Sequence, residues 1–348
     1  MLEDVLAGKR IVICAGPGGV GKTTTAAAIA AGLARRGERV AVVTIDPAKR
    51  LADALGLDAL DDTPRKVRVL GDIDGELWAL MLDSKRTFDA LIDRVAPSEQ
   101  ARDDVLANPI YRQLSGAVAG TQEFTAIAKL HELDLAGEFD VLVLDTPPSR
   151  NALDFLDAPD RLTGFLQGRA IRLFLRPGRL LGVGTGVVFS ALRKATGVAL
   201  LDDLSTFFRA LATMIPELAE RGDHVKALLH SPATVFLLVT SLERDPVAET
   251  IYFHERITAA DLPFGALVVN KLHEPVPDTD APLDLAPALA AKVEAGAAEA
   301  QQLAARDATG LARLRAALDD PVVHGVPQLA GDVHDLDGLA HIGEHLFG

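Results

Sequence analysis

The sequence predicts an α/β fold, with a doubly wound and mostly parallel sheet, on three observations. Short apolar runs rich in Val and Ile alternate along the 348 residues with longer Ala- and Leu-rich runs of helical period. The first such run is joined to the first helical run by a loop carrying Gly16, Gly18, Gly19 and Gly21. Composition agrees. Hydrophobic residues make up 49% of the chain but aromatics only 5%, so small aliphatic side chains fill the core, as helices packed on a parallel sheet require.

Taken in order, residues 11–15 read as a buried strand and 22–36 as a helix ended by Gly37. Residues 40–45 form a second strand that delivers Asp46 at its tip; so compact a strand–helix–strand unit implies a parallel, right-handed crossover. A short helix at 48–56, a polar loop at 61–64 and a strand at 77–82 follow. The charged, amphipathic stretch 84–136 is helical with a break near Asn108-Pro109, and 139–144 is a buried strand delivering Asp145. Helical patterns fill 151–230. Strands at 235–239 and 266–269 flank a helix at 246–260. A Pro-rich loop at 272–282 precedes an Ala-rich helix or helix pair at 283–318, and the C-terminal stretch is a short amphipathic helix without Lys or Arg.

Gly16-x-x-x-x-Gly21-Lys22-Thr23 is a full match to the phosphate-binding loop pattern, in the strand–loop–helix setting that the motif requires. Glycines let the backbone close around a phosphate, and the N–H groups of Gly18, Gly19, Val20, Gly21 and Thr24 lie where they can point inward. The N-terminus of the following helix adds its partial positive charge. Lys22 reaches the β and γ phosphates, and the Thr23 hydroxyl sits on Mg²⁺. Asp145, after the apolar V-L-V-L, has the form of an aspartate that binds Mg²⁺ directly or through water, and Asp46 can orient the attacking water. For either aspartate alone, a helix N-cap is the competing role. Asn270-Lys271, closing the last central strand, fits base recognition or an ordinary strand-ending turn. The expected ligands are therefore ATP or ADP with Mg²⁺. The nucleotide-binding core would occupy 1–160 and 231–348, with an inserted helical subdomain at 161–230.

Composition also excludes. A net charge of −14 argues against a nucleic-acid partner, which needs a basic face. The single cysteine, Cys14, rules out an intramolecular disulfide and any multi-cysteine metal site within one chain, and its place in the first strand marks a core thiol. The longest uncharged stretch, 227–242, is 16 residues and contains His230 and Pro232, too short and broken to span a bilayer. With no signal-peptide pattern at the N-terminus, a cytoplasmic location is expected.

At this point the pattern resembles the arsenite-pump and tail-anchored-protein-targeting ATPases, and is most similar to an actinobacterial branch of anion-transporting ATPases. The likeness is carried by G-P-G-G-V-G-K-T-T at 16–24, T-I-D-P-A-K-R-L-A-D-A-L at 44–55, D-T-P-P-S-R-N-A-L-D-F-L at 145–156, F-L-L-V-T-S-L-E-R-D-P-V-A-E-T at 236–250, V-V-N-K at 268–271 and H-G-V-P-Q-L at 324–329. The resemblance implies that Asp46 lies in the first switch and Asp145 in the second. It also implies that Asn270 and the 326–328 loop with Pro327 contact adenine, and that two copies dimerise with facing nucleotides. The family's usual lysine at the second loop position, which reaches the partner's nucleotide, is here Pro17. A missing transition-state cation costs on the order of 10³–10⁵ in rate in related phosphoryl transfer. The expectation is a slow homodimer, or a heterodimer with a lysine-bearing paralogue; Arg150 is a weak substitute. The Cys-x-x-Cys zinc clamp of the eukaryotic targeting enzymes and the iron–sulfur cysteines of the reductase relatives are absent. Arsenite capture needs several soft thiolates, which one Cys cannot supply.

Residues 165–201 carry six positive charges and no acids within an acidic protein, with a 13-residue uncharged run between Arg179 and Arg193. They read either as a lid or groove for a hydrophobic, membrane-destined client or a membrane contact, or as an amphipathic helical subdomain packed on the core. Two functions are compatible with these residues: a switching ATPase that handles such a client, with a membrane protein as a further partner, or a low-turnover nucleotide-binding regulatory subunit paired with an active paralogue.

Overall fold

The computed structural model describes residues 1–45, 50–68, 74–109, 111, 121–146, 198–276, 285–329, 331, 333 and 335–348. Asp46, Pro147, Arg150 and most of 165–201 lie outside the described residues.

The sheet has eight strands, β1 (Ile11–Ala15), β2 (Arg39–Thr44), β3 (Arg65–Val67), β4 (Glu76–Met81), β5 (Val141–Asp145), β6 (Thr234–Thr240), β7 (Phe264–Leu272) and β8 (Val323–Pro327), in the order β3-β4-β2-β5-β1-β6-β7-β8. All neighbours run parallel except β3, which pairs antiparallel with β4 at one edge. Every residue of β1, β5 and β6 is buried, which is why these strands, up to Asp145 and between Thr234 and Thr240, read as apolar runs rather than alternating ones. From β1 the chain first winds toward β2 and β4, and later toward β6, β7 and β8. The loop after β1 therefore sits at the point where the winding reverses, the place where open parallel sheets bind ligands.

Among the described residues the helices are α1 (Leu2–Leu6), α2 (Lys22–Ala34), α3 (Arg50–Ala54), α4 (Ser84–Val95), α5 (Glu99–Leu106), α6 (Thr121–Ala136), α7 (Val198–Leu229), α8 (Arg244–Ala259), α9 (Pro287–Ala317) and α10 (Leu336–Phe347). Helix α2 is built almost wholly of Ala, Gly and Thr because it is covered on both sides. The sheet residues Val12, Cys14, Val40, Val42, Val143, Val235 and Leu237 share one core cluster with its alanines and with Leu339, Ile342, Leu346 and Phe347 of α10. Gly32 is required there: a Cβ would stand 2.3 Å from the Phe347 ring.

The chain divides into two units. One comprises Met1–Met81, Ala136–Ala152 and His230–Gly348 and contains the whole sheet; the other comprises Leu82–Leu135 and Leu153–Leu229. In the second, Phe88, Leu91, Ile92 and Val95 of α4 and Val105 of α5 cluster with Tyr111 and with Phe207, Phe208, Leu211 and Met214 of α7. The Asn108 amide donates to the Asp203 carbonyl at 2.9 Å, and Arg94 meets Glu132 at 2.9 Å. Among the described residues no helix is long and apolar enough to cross a membrane.

Helix α1, strand β3 and strand β8 depart from the sequence reading, in which the first element begins at residue 11. Residues 326 and 327, expected in a loop, close strand β8 instead, because β7 offers them a parallel edge through residues 267–272. Strand β3 is three residues long, too short to show any period.

Candidate functional site

The loop 16–21 connects the end of β1 to α2, and its geometry depends on two glycines. Gly16 has φ +147° and a Cβ there would lie 2.0 Å from the Val239 carbonyl oxygen of β6. Gly21 has φ +91° and a Cβ there would lie 2.3 Å from the Asn270 amide nitrogen. A side chain at Gly16 would clash with the β6 backbone and one at Gly21 would displace the Asn270 side chain, so the tight cradle depends on glycine.

Lys22 opens α2 and is buried; its Nζ donates to the Pro17 carbonyl at 2.7 Å. A buried ammonium held by the loop's own carbonyl is a cation in reserve at the spot where a phosphate would sit. Thr23 Oγ1 donates to Asp145 Oδ2 at 2.8 Å, and Thr44 Oγ1 donates to the same oxygen at 2.9 Å. Asp145 is fully buried at the tip of β5 between β1 and β2. One carboxylate oxygen thus ties together the first turn of α2, the last residue of β2 and the end of β5. Next to it, Thr146 Oγ1 donates to the Cys14 carbonyl at 2.8 Å, extending the β1–β5 contact past the sheet. Cys14 is buried, and burial together with the nearby Asp145 charge pushes its thiol well above the ordinary range, so it stays a neutral core group.

On the other side of the loop, Asn270 Nδ2 donates to the Val20 carbonyl at 2.8 Å and Lys271 Nζ to the Gly19 carbonyl at 3.3 Å. Lys271 has φ +59°, a conformation uncommon outside glycine. The Gln328 amide donates to the Leu272 carbonyl at 2.9 Å, linking the ends of β7 and β8. Between these segments lies a cleft of about 390 Å³ lined by Lys22, Thr23, Thr24, Arg50, Asn270 and Pro327, with Leu329, Val333 and Ile342 as its apolar wall. That volume falls within the range of roughly 300–1,000 Å³ typical of small-molecule sites.

The structure therefore brings together Gly19, Gly21, Lys22, Thr23, Thr24, Asn270 and Pro327 in one cleft, with Asp145 hydrogen-bonded to Thr23 beneath it. Sequence reasoning did not single out Thr44, Thr146 or Arg50 for a role in the site. Thr44 had a signal, being the hydroxyl that ends the strand just before Asp46. The chemistry of the set suits a Mg²⁺–nucleotide: hard oxygen donors from Thr23 and Asp145, a loop of backbone N–H groups, and cations from Lys22, Arg50 and Lys271.

A glycine loop between a parallel strand and a helix, a lysine and a threonine opening that helix, and an aspartate on the adjacent strand define the phosphate-loop class of α/β proteins. Within that class the chain belongs to the anion-transporting ATPase family, whose sequence model matches residues 9–296. It is 29% identical over 281 residues to ATPase GET3 of Malassezia globosa, covering 79% of this chain and 77% of that protein. It is 26% identical over 281 residues to putative arsenical pump-driving ATPase 1 of Aquifex aeolicus, covering 76% of this chain and 63% of that protein. It is also 26% identical over 282 residues to ATPase GET3 of Mycosarcoma maydis, covering 80% and 78%. This chain is an ATP hydrolase.

Proposed function

We propose that the chain binds Mg²⁺–ATP in the 16–24 loop cleft and uses binding and hydrolysis to switch a dimer between conformations, acting on a hydrophobic or membrane-destined protein client. The observation that supports the switch is the double hydrogen bond to Asp145 from Thr23 and Thr44. Thr44 ends β2 two residues before Asp46, so a change at the phosphate side of Thr23 is passed through one carboxylate to the segment bearing Asp46. In this reading Lys22 leaves the Pro17 carbonyl for the γ-phosphate, Thr23 and Asp145 hold Mg²⁺, and Asp46 orients the water. Mg²⁺ supplies neutralisation of the developing phosphate charge. The amide oxygen of Asn270 accepts from an exocyclic amine of adenine, its nitrogen being held by Val20. Pro327 lies against the base. The sheet-bearing segments form the nucleotide domain, residues 161–230 are the helical subdomain, and the apolar, basic stretch 165–201 is where a client would be met.

A second reading rests on Pro17. The residue is buried in the loop and carries no charge, so a homodimer has no lysine at this position to offer across its interface. The chain would then be a low-turnover regulatory subunit completed by a paralogue. Arsenical pumping is not proposed here, because Cys14 is the single thiol and it is buried.

Steady-state ATP hydrolysis by the purified chain tests both readings against a Lys22→Ala control. Turnover of ordinary enzymatic size that Lys22→Ala abolishes supports the self-sufficient switch. Nucleotide binding with negligible turnover, raised about 10²-fold or more by Pro17→Lys, supports the subunit that needs a partner's cation. Absence of nucleotide binding would overturn both.

A further inference from the structure

Helix α9 buries Ala304, Asp307 and Leu314. The carboxylate stands out on that face: Asp307 is 1% exposed, and a charge buried to that degree costs free energy unless it is paired and hydrogen-bonded. Its two oxygens are fully engaged. Oδ1 accepts from Arg306 Nε at 3.0 Å and from the other arm of the same guanidinium at 2.8 Å. Oδ2 accepts the His273 backbone N–H at 2.9 Å and bonds the His273 ring Nδ1 at 2.8 Å. Because an ionised carboxylate can only accept, Nδ1 carries the ring proton.

His273 follows directly on the segment that borders the cleft. Asn270 and Lys271 are bonded to the Val20 and Gly19 carbonyls, Lys271 sits at positive φ, and Leu272 accepts from Gln328. A strained backbone of this kind persists only when its surroundings over-determine it. The Asp307 clasp supplies the anchor that comes from neither the phosphate loop nor β8.

We propose that Asp307, acting through His273, is a positioning residue that sets the Asn270–Leu272 segment against the nucleotide base and so determines base selectivity. This rests on the reading of the 16–24 loop cleft as the nucleotide site. A carboxylate in this place fixes both the backbone and the ring of His273, which a neutral apolar residue could not do.

The test is equilibrium binding of fluorescent ATP and GTP analogues, with steady-state hydrolysis alongside, on the full chain carrying Asp307→Ala, Asp307→Asn or His273→Ala. Asp307→Ala should weaken ATP binding and raise its KM by about tenfold, with kcat within about twofold, and narrow the ATP-over-GTP preference. Asp307→Asn keeps an acceptor for the His273 N–H and should recover most of the loss; His273→Ala should fall between. A lowered melting temperature with unchanged ATP affinity and unchanged base preference would overturn the proposal and leave a merely structural carboxylate. If Asp307→Ala does not fold, affinity and base preference in the other two variants decide between the same outcomes. Failure of the unmodified chain to bind either analogue removes the site reading and the proposal with it, whereas tight binding unaffected by every variant removes the proposal alone.

Discussion

Asp145 shows how one side chain can couple three elements. Burying a carboxylate costs less when its oxygens accept hydrogen bonds, and hydroxyls from Thr23 and Thr44 both point at Oδ2. Replacing Thr44 by Val keeps the shape of the side chain and deletes one of these donors. The expected cost is about 1.5–3 kcal/mol of unfolding free energy, the worth of a hydrogen bond to a charged group, read by urea denaturation. If Asp145 passes the state of the nucleotide to β2, hydrolysis should also slow by about tenfold or more, while Thr44→Ser, which restores a hydroxyl, stays near the unmodified rate. A Thr44→Val protein that loses stability but hydrolyses ATP normally would limit Thr44 to holding the strand end.

At the scale of elements, docking of α10 on α2 connects the C-terminus to the cleft. Phe347 fills the space left by the missing side chain of Gly32, and the Arg36 guanidinium lies 4.3 Å over its ring. The same helix offers Ile342 to the cleft wall. Gly32→Val should therefore cost about 1–3 kcal/mol by overpacking and weaken nucleotide binding as well. Adding Phe347→Ala makes room for the new methyls, so the double variant should be more stable than the sum of the two single effects, a coupling measured by a double-mutant cycle. Strict additivity would mean that α10 moves aside without strain. These contacts also mark what sequence pattern could and could not show. Strands β1, β5 and β6 are buried on both faces and so are apolar apart from Asp145 and the terminal Thr234 and Thr240, and the loop motif is written in glycines, of which Gly16 and Gly21 leave no room for a Cβ; both were readable. The short strand β3 has no period. Strand β8, with Gly325 and Pro327, looks like loop until β7 supplies its partner. The Asp307–His273 clasp joins residues 34 apart through a helix whose composition gives no hint of a buried charge.

Across the whole molecule, acid sensitivity has an origin that net charge alone would hide. Three partly buried histidines, His131, His254 and His324, titrate below the usual histidine range, burial being the main cause in each. Repulsion from His224 and Arg221 adds to the effect at His131, and the N-terminal ammonium does so at His324. The native state thus favours their neutral forms, while the unfolded chain protonates them near the ordinary value of about 6.5. As pH falls below that value the unfolded state binds more protons than the native one, so stability declines until the lower native values are passed. The carboxylates of buried Asp307 and half-buried Glu132 behave differently. Burial opposes their ionisation, but hydrogen bonds to Asp307 from His273 and Arg306, and to Glu132 from Arg94 and Lys129, outweigh it and hold both below the usual carboxylate range. Their contribution is present above the unfolded value of about 4 and is lost only as pH falls through the native ones. With a net charge of −14, proton uptake should relieve self-repulsion, yet few carboxylates protonate above about pH 5, so this relief arrives late. The urea midpoint should accordingly be level between about pH 7 and 8 and drop between about pH 6.5 and 5.5. Combining His131→Gln, His254→Gln and His324→Gln should flatten that drop while leaving the loss below about pH 4 in place. An unchanged slope in the triple variant would assign the early loss to groups other than these three.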